Sequence, residues 1–177
     1  LVAHLALASC TQELALAARP EPLDEPKLSV GFLLLDGIYG SELVAPHDVF
    51  HHVRFHVDGE SAPGAMEVFT IGRSRAAVTS FEGLRIVPDY SLAECPRVDV
   101  LVVPSAEHNM DSDLEDKELI DWVRTRGRSA KHVLSLCDGA FVLAEAGLLD
   151  GYRCTTFPGD IPAFRKRYPQ LAVAEGV

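Results

Sequence analysis

The sequence predicts an α/β fold with a mainly parallel sheet, on three observations. Strand-like and helix-like segments alternate from Leu28 onward, the pattern of parallel strands joined by crossover helices. The strand-like runs at 28–35, 98–103 and 133–136 are apolar almost throughout, as strands covered on both faces are. The segment 113–126 opens with Asp113 and closes on Arg124 and Arg126, matching the dipole of the helix it would form.

Taken in order, residues 28–35 read as a buried strand. Residues 42–57 have helical spacing, with Leu43, Pro46, Phe50, Val53 and Val57 on one stripe and Pro46 tolerable in the first turn. A second strand is expected at 66–71. Residues 77–87, around Glu82-Gly83, read as a hairpin or a pair of short edge strands. A third buried run at 98–103 leads to the helix at 113–126, then the strand from Val133. A helix runs on to Gly147, a short one covers 162–168, and Leu171-Ala172-Val173 begins a last strand.

Composition narrows the function classes. The chain has 177 residues, 47% of them hydrophobic and 24% charged, which suits one globular domain with a core. Its net charge of -10, with Lys and Arg scattered, disfavours nucleic acid and anionic membranes as partners and leaves small molecules or proteins. Cys10, Cys95, Cys137 and Cys154 show neither Cys-x-x-Cys nor Cys/His ligand spacing, so no zinc ribbon or dithiol motif is indicated. His47/His51 and His52/His56 are each one helical turn apart, but the pairs fall on different sides and lack a third ligand. No metal is assigned.

Residues 1–10 form an Ala/Leu-rich stretch ending in Leu7-Ala8-Ser9-Cys10, which resembles a lipoprotein signal and lipobox with Cys10 as the lipidation site. The competing reading is an amphipathic helix continuing through Leu14-Ala15-Leu16. Residues 11–27, with Pro20, Pro22 and Pro26, read as a linker, and 28–177 as the folded domain. The signal reading places the protein at the bacterial cell envelope, lipid-anchored in the periplasm. Without it the location is cytoplasmic.

Cys137 is the chemical focus. It lies between the apolar run Val133-Leu134-Ser135-Leu136 and the helix-like run from Gly139, and Ser135-Leu136-Cys137-Asp138-Gly139 follows the small-x-nucleophile-x-Gly logic of a nucleophile elbow. Amides at the helix start would favour thiolate over thiol, giving a nucleophile at neutral pH. In a parallel sheet the loops at the strand carboxyl ends share one edge, so Glu42, Glu107, His108 and Asn109 are candidate neighbours of Cys137. His132, at the start of its strand, belongs on the opposite edge. Asp138 either caps the helix or tunes the thiol.

Ser135-Leu136-Cys137-Asp138-Gly139-Ala140-Phe141, then Leu143-Ala144-Glu145-Ala146-Gly147-Leu148-Leu149-Asp150-Gly151 and Thr155-Thr156, resemble the ThiJ/PfpI family of the class I glutamine amidotransferase-like superfamily. Glu42-Leu43-Val44-Ala45-Pro46 and Val102-Val103-Pro104-Ser105 resemble two further stretches of that family. The resemblance implies a flavodoxin-like three-layer α/β sandwich, a reactive Cys137, and a Glu42 whose protonated carboxyl hydrogen-bonds the sulfur. It also implies a homodimer and a domain incomplete at its C-terminus. Many relatives place a His after the Thr-Thr pair, whereas Phe157 follows here, so peptidase and glutaminase chemistry lose ground. His108 could supply the imidazole, or be an exposed loop residue.

Two functions follow as expectations. In the first, Cys137 attacks a small electrophile as a hydratase, glyoxalase-like lyase or hydrolase, Glu42 manages the proton, and backbone amides near Ser105, Asp138 and Gly139 hold a developing oxyanion, with no cofactor. In the second, the same thiol serves a non-catalytic redox or ligand-sensing domain. A vestigial, envelope-anchored scaffold is a third reading.

Overall fold

The structure, a computed structural model, describes residues 27–57, 60–63 and 65–175. The signal and Cys10, and the linker up to residue 26, lie outside the described residues. The chain runs through β1 (Leu28–Leu34), α1 (Gly40–His51), β2 (Arg54–Val57), β3 (Glu60–Pro63), β4 (Met66–Gly72), β5 (Val78–Thr79), β6 (Arg85–Ile86), β7 (Tyr90–Ser91) and β8 (Val100–Val103). There follow α2 (Ser112–Glu115), α3 (Lys117–Ser129), β9 (His132–Ser135), α4 (Gly139–Glu145), β10 (Arg153–Cys154), a 3-10 turn (Pro158–Asp160), α5 (Ile161–Arg167) and β11 (Ala172–Val173).

Five strands form the main sheet in the order β7-β4-β1-β8-β9, and every pairing within it is parallel. The chain winds one way from β1 to β4 and the other way from β8 to β9. With right-handed crossovers, that reversal sets α1 and α3 on opposite faces. The switch of direction falls between β1 and β8, where open parallel sheets bind their ligands. The loops expected to share an edge therefore do so.

α4 occupies the centre of the core. Gly139, Ala140, Phe141, Val142, Leu143 and Ala144 are all buried, the mark of a helix apolar all round and enclosed on every side. It packs on α2, α3, β8 and β9, and the Phe141 ring meets Phe164 of α5 edge-on at 4.8 Å. Its first residue lies against the end of β8: a Cβ at Gly139 would sit 2.1 Å from the Val103 carbonyl oxygen.

Two sequence expectations change. The helix expected over 42–57 stops at His51, and Arg54–Val57 pairs antiparallel with Glu60–Pro63. Alternation of Val53, Phe55 and Val57 outweighs the helical stripe there. His52 and His56 thus share no helix. The helix at 113–126 is split by Asp116, whose extended backbone closes α2 while its carboxylate accepts from Leu119 N at 2.9 Å as the N-cap of α3. The last strand forms as expected, at Ala172–Val173, and pairs with β10 in a separate two-stranded sheet. The segment at 77–87 is a hairpin, β5 against β6. Among the described residues no helix is long and apolar enough to cross a membrane.

At the sheet's opposite end, Asp99 ties three strands together. Its carboxylate accepts from Ser29 N at 3.2 Å and Ser29 Oγ at 3.1 Å, and lies 2.8 Å from Arg97 and 3.2 Å from Lys131. The Ser29 amide, then Lys131, the Ser29 hydroxyl and Arg97, hold the carboxyl at about 2 against the opposing effect of burial.

Two predictions follow from these contacts. Gly139→Ala forces a methyl into the Val103 carbonyl and should destabilise the fold by roughly 3 kcal/mol, a fall of about 10 °C in Tm by circular dichroism. Asp99→Asn should lower the urea midpoint above about pH 5, and the gap to the parent should close as pH drops from about 4 to 2. A depressed carboxyl contributes its full stability above the unfolded value of about 4 and loses it as pH falls through the folded value.

Candidate functional site

Three loops converge where β1, β8 and β9 end. Ile38 and Ala106 form an isolated bridge, Tyr39 N donates to Ser105 O at 3.1 Å, and Glu107 N donates to Gly37 O at 3.1 Å. Glu42, in the first turn of α1, reaches across so that its Oε2 accepts from Ser105 N at 2.7 Å. The Ser105 amide expected to serve an oxyanion is therefore already engaged. α1 receives its cap from the β5–β6 hairpin: both Glu82 carboxylate oxygens accept from Gly40 N at 3.1 Å, and Phe81 stacks on Tyr39 at 4.7 Å.

The turn from β9 into α4 is tight. Leu136 N donates to Val103 O at 3.0 Å and Gly139 N to Leu136 O at 2.9 Å, so Cys137 and Asp138 are the two central residues of a four-residue turn. Cys137 has φ 49 and Asp138 has φ -80 and ψ 0. The positive φ falls at a position that normally selects glycine, and holding a cysteine there stores on the order of 1–3 kcal/mol of strain. The Gly139 amide, bonded to Leu136, is not free for a ligand.

The Asp138 amide and the Ser105 hydroxyl favour the ionised form of the Cys137 sulfur. They are outweighed. Burial, then the carboxylates of Asp138 and Glu42, push the thiol up to about 11. The balance runs against the thiolate expected at neutral pH, because two negative charges and a half-buried position exceed what two donors return. The Tyr39 hydroxyl shares this acidic environment: burial raises it first, followed by the charges of Cys137, Glu107, Asp138 and Glu42.

Asp138 caps nothing. As the N-cap of α4 it makes no side-chain cap bond. Instead its Oδ1 accepts from Thr156 Oγ1 at 2.8 Å, and Thr156 Oγ1 also donates to Cys137 O at 3.3 Å. Burial pushes the Asp138 carboxyl up, with Thr156 and the Phe157 amide opposing and Asp160 adding to the rise.

The other candidates stand farther off. His108 is exposed, with Nδ1 3.5 Å from Asp111 Oδ1, and is not among the groups bonded to or charging the sulfur. Asn109 is fully buried as a strut: its Oδ1 accepts from Ala106 N at 2.8 Å and its Nδ2 donates to Asp113 at 3.0 Å. His132 is exposed at the far edge, as expected. Cys95, Cys137 and Cys154 are free thiols among the described residues. Sequence reasoning missed Tyr39, Phe81 and Asp160, although Tyr39 lies in a loop it had placed at this edge. Phe81 and Phe157 are 56% and 50% exposed, giving the site an aromatic rim. A cavity of about 640 Å³ beside Lys131, His132 and Leu148 lies at the other end of β9, away from the sulfur.

The model of the DJ-1/PfpI family matches residues 28–168. A protein named isonitrile hydratase from Pseudomonas putida is 33% identical over 129 residues, covering 73% of this chain and 52% of that protein. The HTH-type transcriptional regulator CdhR of Pseudomonas aeruginosa is 29% identical over 145 residues, covering 81% of this chain and 41% of the regulator. The chain thus spans about half the length of the curated relatives it matches. Among solved structures, a THiJ/PfpI family protein from Pseudomonas syringae is 26% identical with a TM-score of 0.65, covering 85% of this chain and 57% of that one. Drosophila melanogaster DJ-1beta, at 20% identity, shares the fold with a TM-score of 0.69 over 86% of this chain and 76% of its own.

Iodoacetamide alkylation of Cys137, followed against pH by mass spectrometry, should titrate with a midpoint near 11. Asp138→Asn removes one of the two raising charges, so its midpoint should move down toward the ordinary thiol value of about 8.5. An unchanged midpoint would mean that Asp138 does not act on the sulfur.

Proposed function

We propose that this chain, which belongs to the DJ-1/PfpI family, hydrates a small isocyanide-like electrophile through Cys137 without a cofactor. The observation that carries the reading is that the Ser105 amide is bonded to Glu42, while burial and the charges of Asp138 and Glu42 push the Cys137 thiol up to about 11. Acyl transfer needs a thiolate and a set of free N–H donors around a developing oxyanion, and here the Ser105 and Gly139 amides are already bonded to Glu42 and Leu136. Addition to an isocyanide needs neither. The thiol adds across the terminal carbon, sulfur bonding to carbon while the proton passes through Glu42 to that same carbon, and a thioformimidate results. No oxygen carries charge in that step.

Water then attacks the imidate carbon as a proton is delivered to nitrogen. The tetrahedral adduct expels the thiol, sulfur regains a proton, and an N-formamide leaves, so one isocyanide and one water give one formamide. Glu42 carries protons in both halves. The aromatic rim of Tyr39, Phe81 and Phe157 suits an apolar substituent on the electrophile. The similarity to a protein named isonitrile hydratase supports the same substrate class.

A ligand-sensing domain is the second reading, favoured by the similarity of most of the chain to HTH-type regulators. Sensing through oxidation of Cys137 is the weaker form of it, since a thiol held near 11 is a poor target for peroxide at neutral pH.

An aryl isocyanide at pH 7.5 should be converted to its N-formamide, detected by chromatography. Cys137→Ala should abolish the product, and Glu42→Gln should lower kcat by about 10²-fold or more. Methylglyoxal and p-nitrophenyl acetate should give no Cys137-dependent product. Binding of the isocyanide, seen as a rise in Tm, with no formamide formed would replace the enzyme by the sensor.

A further inference from the structure

A line of polar side chains joins elements on either side of β1. Asn109 has no exposed surface and Asp113 of α2 is 8% exposed, yet both are hydrogen-bonded. Asn109 Nδ2 donates to Asp113 Oδ2 at 3.0 Å, and Arg73, just past β4, donates to Asp113 Oδ1 at 3.4 Å. Arg73 also pairs with Asp116, the N-cap of α3. Burial pushes the Asp113 carboxyl up, with the Asn109 amide, then Arg73 and His108, opposing. Apolar side chains of the same volume would hold such a corner as firmly as a buried charge does. Stability alone therefore does not call for these three residues.

What they fix is an orientation. A carboxylate beside a guanidinium offers only acceptors, so Asn109 turns its NH2 toward Asp113 and its oxygen toward the Ala106 amide, which donates to it at 2.8 Å. The backbone N–H of Asn109 donates to Ala106 O at 3.1 Å, so Ala106 is gripped at both its amide and its carbonyl. The peptide group between Ser105 and Ala106 is held at both ends as well, its carbonyl by Tyr39 N at 3.1 Å and its N–H by Asn109. With that group locked, the Ser105 amide is aimed at Glu42 Oε2, 2.7 Å away. The bond engages one oxygen of the Glu42 carboxyl and leaves the other for a proton.

We propose that Arg73, Asp113 and Asn109 are positioning residues that hold the Glu42 carboxyl, through the Ser105 peptide, where it passes the proton between Cys137 and the substrate carbon. The proton role rests on the hydration reading; the positioning rests on the contacts themselves. None of the three touches the substrate. Arg73 orients Asp113, Asp113 selects which end of the Asn109 amide faces Ala106, and Asn109 sets the peptide that presents the Ser105 N–H to Glu42. Losing a link lets that peptide turn and frees the carboxyl. The proton step then slows while the aromatic rim still binds the substituent.

The test has two arms. Exchange of the Ser105 amide with D2O, followed by NMR, should speed by about 10-fold in Asn109→Leu, Arg73→Leu and Glu42→Ala, with the β1 amides unchanged and Arg73→Lys keeping the parent rate. Arg73 is half-exposed, so its variants report even where Asn109→Leu does not fold. A parent rate for Ser105 in Arg73→Leu overturns the proposal, and so does an equal rise across the β1 amides, the mark of a merely structural role. In the second arm, with an aryl isocyanide, both Leu variants should lose about 10-fold or more in kcat with KM little changed, and Arg73→Lys should restore it. A loosened Ser105 amide with full turnover overturns the part in catalysis. If the parent forms no formamide, the hydration reading fails, and the exchange rates still decide whether these residues hold Glu42 to Ser105.

Discussion

The contact on which the site depends is between two backbones: the Cα of Gly139 against the carbonyl of Val103. Because α4 begins in contact with the end of β8, the chain leaving β9 has only a four-residue turn in which to reverse into the helix. That forces the positive φ of Cys137. It also brings Ser105, two residues past Val103, to the sulfur, and through the Ser105 amide it brings Glu42 from the far side of β8. One glycine thus couples three loops that are remote in sequence.

Within that frame, charge decides what the sulfur can be. A helix start and a hydroxyl aimed at a cysteine commonly give a thiolate, and both are present here. The difference lies in the carboxylates. Glu42 arrives because its α1 turn is locked in place by Glu82 from the β5–β6 hairpin, and Asp138 arrives because it follows Cys137 in the turn. A thiol so surrounded suits chemistry that moves sulfur and proton together. This separates addition to a neutral carbon from attack on an ester or amide, where a bare thiolate and a ring of donors are wanted.

Much of this was legible in the sequence, and the parts that were not share a cause. Long apolar runs such as 98–103 and the glycine after Cys137-Asp138 are strong local signals, so the parallel sheet, the sharp turn and the common edge for Glu42, Ser105 and Cys137 could be read directly. Short elements have weak ones: β7 is Tyr90–Ser91 alone, and the stripe through Val53 and Val57 fits a helix as readily as the hairpin that forms. Side-chain partners chosen across the fold left no trace at all. Nothing near Ser105 says that Glu42 will take its amide, and nothing near Asp138 names Thr156 as its partner.

The sequence rules fail at particular places, and those places coincide. A cysteine at positive φ sacrifices on the order of 1–3 kcal/mol, and an N-cap aspartate that declines to cap forgoes about 1 kcal/mol. Cys137 and Asp138 each show one of these departures, and they are the two central residues of one turn. Asp116, only 21 residues before Cys137, caps α3 in the ordinary way, so the chain does cap its helices where nothing competes. An inert core thiol would exert no pressure to keep such strain, and Cys95, buried and hydrogen-bonded to the Pro96 carbonyl, sits at negative φ with none. Local preferences overruled together at one point are what a working site leaves in a fold whose other elements agree with their sequence.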